Sequence, residues 1–191
     1  MESNTEFHSY MENMSKFNQL VLNILDKEND LEEPFQNLNK YLEDNNTFND
    51  KNKMKLILRV ISSISNNHHR LHDHFSKIEQ ILKILSNSFK QFFDDNEIFN
   101  IFGENKRILL FLFEHKILTP NKNIFNLITD NKYDNYQYSE FFLPEFESFH
   151  SEEFLKLMNH DYKSEEFLIK RKVGENDDEI SSIIRNDSID E

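Results

Sequence analysis

The sequence predicts an all-α protein, an antiparallel array of helix hairpins built as an α-solenoid-like stack or an irregular bundle. Three observations predict it. Apolar residues recur at steps of three and four through one segment after another, the spacing that lines a single helix face. Helix-starting and helix-stopping residues stand between those segments: Pro34, Pro144, Asn-Asn pairs, Gly103, Gly174 and serine caps. The resulting alternation of helices of about three turns with short loops is the rhythm of bundles and solenoids.

In chain order, Met14, Phe17, Leu20, Val21, Ile24 and Leu25 form the first stripe, within residues 11–25. Pro34 suits the first turn of a second helix, with Phe35, Leu38 and Leu42 facing inward until Asn45-Asn46 breaks it. A third stripe, residues 53–65, carries Met54, Leu56, Ile57, Val60, Ile61 and Ile64. Residues 69–93 read as the longest helix, through Leu71, Phe75, Ile78, Ile81, Leu82, Leu85, Phe89 and Phe92. A short apolar helix, EIFNIF, then stops at Gly103, placed to take a left-handed helix end. Asn105 can cap the next, KRILLFLFEHKIL, which is apolar nearly all round and so suits a helix buried between neighbours.

Residues 119–142 are the least regular, and the expectation there is a short helix over 124–128 followed by a tyrosine-rich loop. Pro144 opens another helix, and Ser151 and Ser164, each followed by two glutamates and a phenylalanine, look like caps. Val173-Gly174 ends the helix that Ser164 starts. Asn176 and Glu179 then open a helix with a narrow stripe of Ile180, Ile183 and Ile184, and Ser188-Ile189-Asp190-Glu191 has the spacing of a capping box. These signals divide the chain into an N-terminal helical domain, 1–172, and the start of a further helix pair, 173–191.

The 191 residues can bury a substantial core. Only 37% are hydrophobic, but 19 Phe and 6 Tyr supply large apolar side chains, so the core should be aromatic-rich. Asparagine is abundant and alanine absent, as codon bias in an AT-rich genome would produce. With no cysteine there is no disulfide framework, thiolate nucleophile or cysteine-based zinc site, which fits a reducing compartment. The opening MESNTEFHSY is acidic where a signal peptide is basic and then apolar, so a cytoplasmic location is expected. The longest apolar run, Ile108 to Phe113, is six residues, against about 20 for a membrane span. No membrane partner is expected.

The formal charge is −13, and residues 130–191 carry −10 of it, with 17 acidic and 7 basic side chains. An acidic surface repels phosphate, which argues against nucleic acid as a partner. The expected partner is a protein.

Candidate chemistry is sparse. His68 and His72 are four apart and would share a helix face, as two zinc ligands do, with His69 between them. The general-base glutamate of that motif is missing, no third ligand follows from the spacing, and Arg70 adds a repelling charge. A metal-dependent enzyme built on His68, His69 and His72 is therefore the alternative reading, and a polar helix start the preferred one. Asp130-x-Lys132-x-Asp134 lacks the oxygen ligand, glycine and glutamate that a calcium loop needs at its third, sixth and twelfth positions. The pairs Glu152-Glu153, Glu165-Glu166 and Asp177-Asp178 fall in expected first turns, where negative charge meets the positive end of the helix dipole. Lys170-Arg171-Lys172 falls at a helix C-terminus, where cations are favoured. Phosphate-cradling loops and nucleophile elbows need glycines, and the chain has two, both at helix ends. No catalytic residue, metal or cofactor is assigned.

Several segments together resemble the N-terminal helical region of the large ankyrin-repeat protein family of trichomonad parasites: NNHHR (66–70), FSKIEQIL (75–82), EIFNIFGENKRILLFLFEHKIL (97–118), FFLPEF (141–146) and KRKVGENDDEISSIIRNDSIDE (170–191). In that family a segment similar to the last leads into ankyrin repeats, stacked helix pairs that bind other proteins. The resemblance implies a non-enzymatic protein-interaction module, a helical leader or cap for a repeat array, with the repeats lacking here. A nonfunctional truncated family copy is the third reading. A solenoid unit needs stacked neighbours to cover its apolar stripe, so residues 175–191 are expected to be mobile or folded back. Ile180, Ile183 and Ile184 are where adjoining repeats or a partner helix would dock.

Overall fold

A computed structural model of the chain describes the backbone of residues 2–67, 72–129, 135–151 and 162–173. The protein is all-α, with no strand among the described residues. Two compact units divide it, residues 1–105 and 106–191. The boundary expected at 172/173 falls at the edge of the described residues.

The first unit comprises α1 (Glu2–Asp26), α2 (Glu32–Asp44), a 3-10 turn (Thr47–Asn49), α3 (Lys51–Asn67), α4 (His72–Phe92) and α5 (Asp95–Phe102). Among the described residues α1, at 25 residues, is longer than α4, at 21, so 69–93 does not hold the longest described helix. Phe7 and Tyr10, at steps of three and four before Met14, continue the stripe into this extension. Phe17, Val21, Ile24 and Leu25 are buried in α1, while Met14 and Leu20 are half-buried at the stripe's margin. Leu38, Tyr41 and Leu42 face them from α2. The two helices are antiparallel, because the Tyr41 hydroxyl near the end of α2 donates to the Asn13 carbonyl in the first half of α1, at 2.7 Å. Phe35, expected inside, is only half-buried.

Between α2 and the 3-10 turn, Asn46 takes a left-handed backbone at φ 54°, which asparagine tolerates better than most residues. From α3, Met54, Ile57, Leu58, Ile61 and Ile64 are buried, and from α4, Phe75, Ile78, Ile81, Leu82, Leu85 and Phe89. At the end of α4 it is Phe93 that is buried, and Phe92 is half-exposed. Helix α5 starts with a full capping box: Asp94 accepts from the Glu97 amide at 2.8 Å, and Glu97 accepts from the Asp94 amide at 3.1 Å. It runs in the same direction as α3, joined to it by Lys51 with Glu97 at 3.2 Å and by the Ser62 hydroxyl on the Ile101 carbonyl at 2.9 Å.

Gly103 does not take the left-handed conformation expected of it. Its φ of −56° is right-handed, and the residue is buried. Asn105 is buried too, and its amide reaches Asn66 Oδ1 at 3.1 Å and Ser65 Oγ at 3.4 Å.

The second unit is built from shorter pieces: α6 (Lys106–Glu114), α7 (Lys122–Thr129), α8 (Asn135–Phe141), α9 (Leu143–Phe146), a 3-10 turn (Glu147–Phe149) and α10 (Glu165–Val173). Residues 108–113 are all buried, as a helix apolar on every side should be. Helix α6 stops at Glu114, short of Leu118. The Lys116 amide donates to the Phe113 carbonyl and the Ile117 amide to Leu112, with Lys116 left-handed at φ 55°. This is a helix-terminating motif made without glycine. Part of the stretch expected to be a tyrosine-rich loop is α8. Tyr138 and Phe141 are buried on it, and Phe142, just past its end, is buried as well.

A cluster of aromatic rings runs through this unit's core beside Ile108, Leu109, Leu112, Ile124 and Ile128. Phe113 meets Phe142 edge-on at 5.6 Å and Phe146 at 5.5 Å, and Phe125 lies 6.1 Å from Phe146 and 5.7 Å from Phe149. Such edge and offset contacts add about 0.5–1.5 kcal/mol per pair beyond area burial.

Candidate functional site

Of the residues singled out for function, most lie outside the described residues. Ile180, Ile183 and Ile184 do, with Asn176, Glu179 and the Ser188-to-Glu191 cap, and so do His68 and His69. His72 opens α4, but its side chain is not among those described. The described side chains contain no group of three or more His, Asp or Glu able to hold a metal ion. The pairs Glu152-Glu153 and Asp177-Asp178 and the Asp130–Asp134 stretch are likewise outside.

Two features remain. The first, in the 1–105 unit, is a cleft of about 690 Å³ where the end of α1 and the α1–α2 loop meet the first turns of α4. Asp26, Glu28, Asn29, Asp73, His74 and Lys77 give it a polar lining. Lys77 is only 7% exposed, and its ammonium donates to the Leu25 carbonyl at 2.6 Å and the Lys27 carbonyl at 2.7 Å. These carbonyls close α1, where they lack partners within the helix and a cation is favoured by the helix dipole. Lys77 thus ties α4 to the end of α1.

The second is the seat of α10 in the 106–191 unit. Ser164 Oγ accepts from the Phe167 amide at 3.2 Å, Glu165 and Glu166 lie in the first turn, and Lys170, Arg171 and Lys172 in the last. The expected cap and the dipole-matched charges of α10 are therefore present. What sequence reasoning missed is that Arg171 points inward.

Its guanidinium, with the side chain 3% exposed, grips the Glu145 carboxylate with both terminal nitrogens, at 2.7 and 3.0 Å. Nη1 also donates to the Phe141 carbonyl at 2.6 Å, and the rings of Phe141 and Phe167 each lie 5.5 Å from the guanidinium carbon. This planar fork between aromatic faces is a geometry lysine cannot reproduce. Around it, Lys172 meets Glu114 at 3.0 Å. Tyr162 and Lys163, just before α10, donate to Glu147 at 3.1 and 2.9 Å. Those two hydrogen bonds, Lys163's first, hold the Glu147 carboxyl below its ordinary range. The triplet Lys170-Arg171-Lys172 signalled only a helix end; nothing in its spacing distinguished the middle residue.

No helix among the described residues is long and apolar enough to cross a membrane. No protein-family model matches the chain, and neither does any curated protein or solved structure. The likeness to the trichomonad ankyrin-repeat family therefore stands on the quoted segments alone.

Proposed function

We propose that the chain is a non-enzymatic protein-interaction module acting in the cytoplasm, a helical leader or cap that presents its C-terminal segment to adjoining ankyrin repeats or to a helix of another protein. Residues Ile180, Ile183 and Ile184 form the docking stripe, and no residue is assigned a catalytic role. The observation that carries this reading is the seat of α10. The last described helix is fixed in register by a buried bidentate ion pair, while its outer face leaves Ile169 52% exposed. While seated in this single register, the helix sets where the following residues begin, as a leader must for the layer stacked after it.

The acidic surface suits a partner with basic or apolar docking residues and disfavours nucleic acid. The test is calorimetric titration of the full chain with an ankyrin-repeat array, beside a triple variant carrying Ile180→Asp, Ile183→Asp and Ile184→Asp. Binding by the native chain that is lost in the variant is the expected outcome. Absence of binding, or equal binding by both, refutes the reading.

A further inference from the structure

The way residues 162–173 attach to the rest of their unit differs in kind from the way the other helices attach. Arg171 is the one buried side chain among residues 162–172; Phe167 and Leu168 are half-buried and Ile169 is exposed. The hydrogen bonds and ion pairs described between the segment and the rest of its unit all run in the same sense. Donors sit on the segment, at Tyr162, Lys163, Arg171 and Lys172. Acceptors sit on the remainder of the unit, at Glu147, Glu145, the Phe141 carbonyl and Glu114. Glu145 and Glu147 are two residues apart across the junction of α9 and its 3-10 turn, so one short piece of chain receives both ends of the segment.

The ring contacts of the core beneath are made without the segment. Those contacts, Phe113 with Phe142 and Phe146 and Phe125 with Phe146 and Phe149, join residues 113–149 to one another. An apolar stripe would resist separation in proportion to its area. A buried ion pair resists it far less, because both charges recover hydration when they part, while the bidentate fork still defines a single seat when they meet.

We propose that residues 162–173 are a detachable arm, clasped through Arg171 onto Glu145 and able to lift off as a unit while the aromatic core of residues 106–151 stays folded. Because the arm continues directly into residue 174, its seating governs where the following segment is presented, whichever partner that segment meets. The proposal therefore does not rest on the ankyrin reading.

Amide hydrogen exchange on the full chain tests it. In the native chain the α10 amides should exchange through a local opening, with protection at least about tenfold below that of α6 and α8. Arg171→Met keeps the length and apolar bulk of the side chain but not the fork. It should lower α10 protection by a further factor of about ten or more and leave α6, α8 and the near-ultraviolet aromatic signal unchanged. Glu145→Gln, which keeps the shape of the acceptor and removes its charge, should give the same pattern. Equal protection of α10 and α8 in the native chain overturns the proposal, as does loss of both helices together in either variant, since the arm would then be part of the core. Unchanged α10 protection in both variants also overturns it, by showing that apolar contact holds the arm.

Discussion

The two units reach a packed interior by different means. In residues 1–105 the interior is largely aliphatic and laid out along four long helices, each contributing one stripe: Val21, Ile24 and Leu25 from α1, Leu38 and Leu42 from α2, Met54, Ile57 and Ile61 from α3, and Ile78, Ile81, Leu82 and Leu85 from α4. In residues 106–173 the described helices run from four to nine residues, and beside buried aliphatic residues such as Leu109, Leu112, Ile124 and Ile128 a cluster of rings and one buried guanidinium tie them together. Helix length accounts for the contrast. A long amphipathic helix distributes its burial along one stripe of many side chains, whereas a helix as short as the four-residue α9 buries only Leu143 and Phe146, so one large ring carries much of what it contributes.

The sharpest break of this comparison concerns how burial is distributed. Phe146, 1% exposed, touches Phe113, Phe125 and Phe149 at once. Phe146→Ala should cost about 3–5 kcal/mol, toward the upper part of the range for core truncations. Leu82→Ala, at a fully buried position with neighbours on its own stripe, should fall lower, at about 2–4 kcal/mol. Urea unfolding followed separately for each unit checks both, and a larger loss at Leu82 than at Phe146 would remove the distinction.

A smaller effect sharpens the comparison from the charged side. Lys77 is the buried cation of the first unit as Arg171 is of the second, but it serves a helix end rather than a carboxylate. Lys77→Met should destabilise the first unit by about 2–3 kcal/mol, because two carbonyls at the end of α1 lose a charged donor. In exchange measurements the loss should appear first in the last turn of α1.

The smallest effect is on pH dependence, and it belongs to the second unit. Burial, and then the nearby charge of Lys122, hold His150 below its ordinary value of 6.5. Hydrogen bonds from Lys163 and Tyr162 hold Glu147 below 4.5. For both groups the unfolded chain takes up a proton at a higher pH than the folded chain does, so stability falls as pH drops, through the region below 6.5 for His150 and below 4.5 for Glu147. The unfolding midpoint should be lower at pH of about 5 than at about 7.5, and His150→Gln should flatten the part of that slope nearest neutrality. An unchanged slope in the variant would show that His150 contributes none of it.

The same contrast explains what the sequence made legible. Stripes of aliphatic residues at helical period announce themselves, so α2, α3, α4 and the apolar part of α1 follow from the order of residues alone. The capping logic of Ser164, Glu165 and Glu166 was equally local, and it held. The second unit was less legible because its decisive contacts join residues far apart in the chain. Arg171 and Glu145 are 26 residues apart, and Phe113 and Phe142 are 29 apart. Neither pair leaves a periodic trace. Helix α8 was expected as loop because seven residues are too few to display a period. Gly103 was read through backbone freedom, yet it takes a right-handed conformation open to any residue. Of the candidate sites, the isoleucine stripe and the paired histidines lie outside the described residues, whereas the seat of α10 came from tertiary structure alone.

The central claim is that charge, not apolar burial, seats the last described helix. A double-mutant cycle tests it most directly, with Arg171→Met, Glu145→Gln and the two combined, read out as the opening free energy of the α10 amides. The account predicts strong coupling, about 1.5 kcal/mol or more, with the double variant little worse than either single one. Additive losses, with coupling near zero, would contradict it.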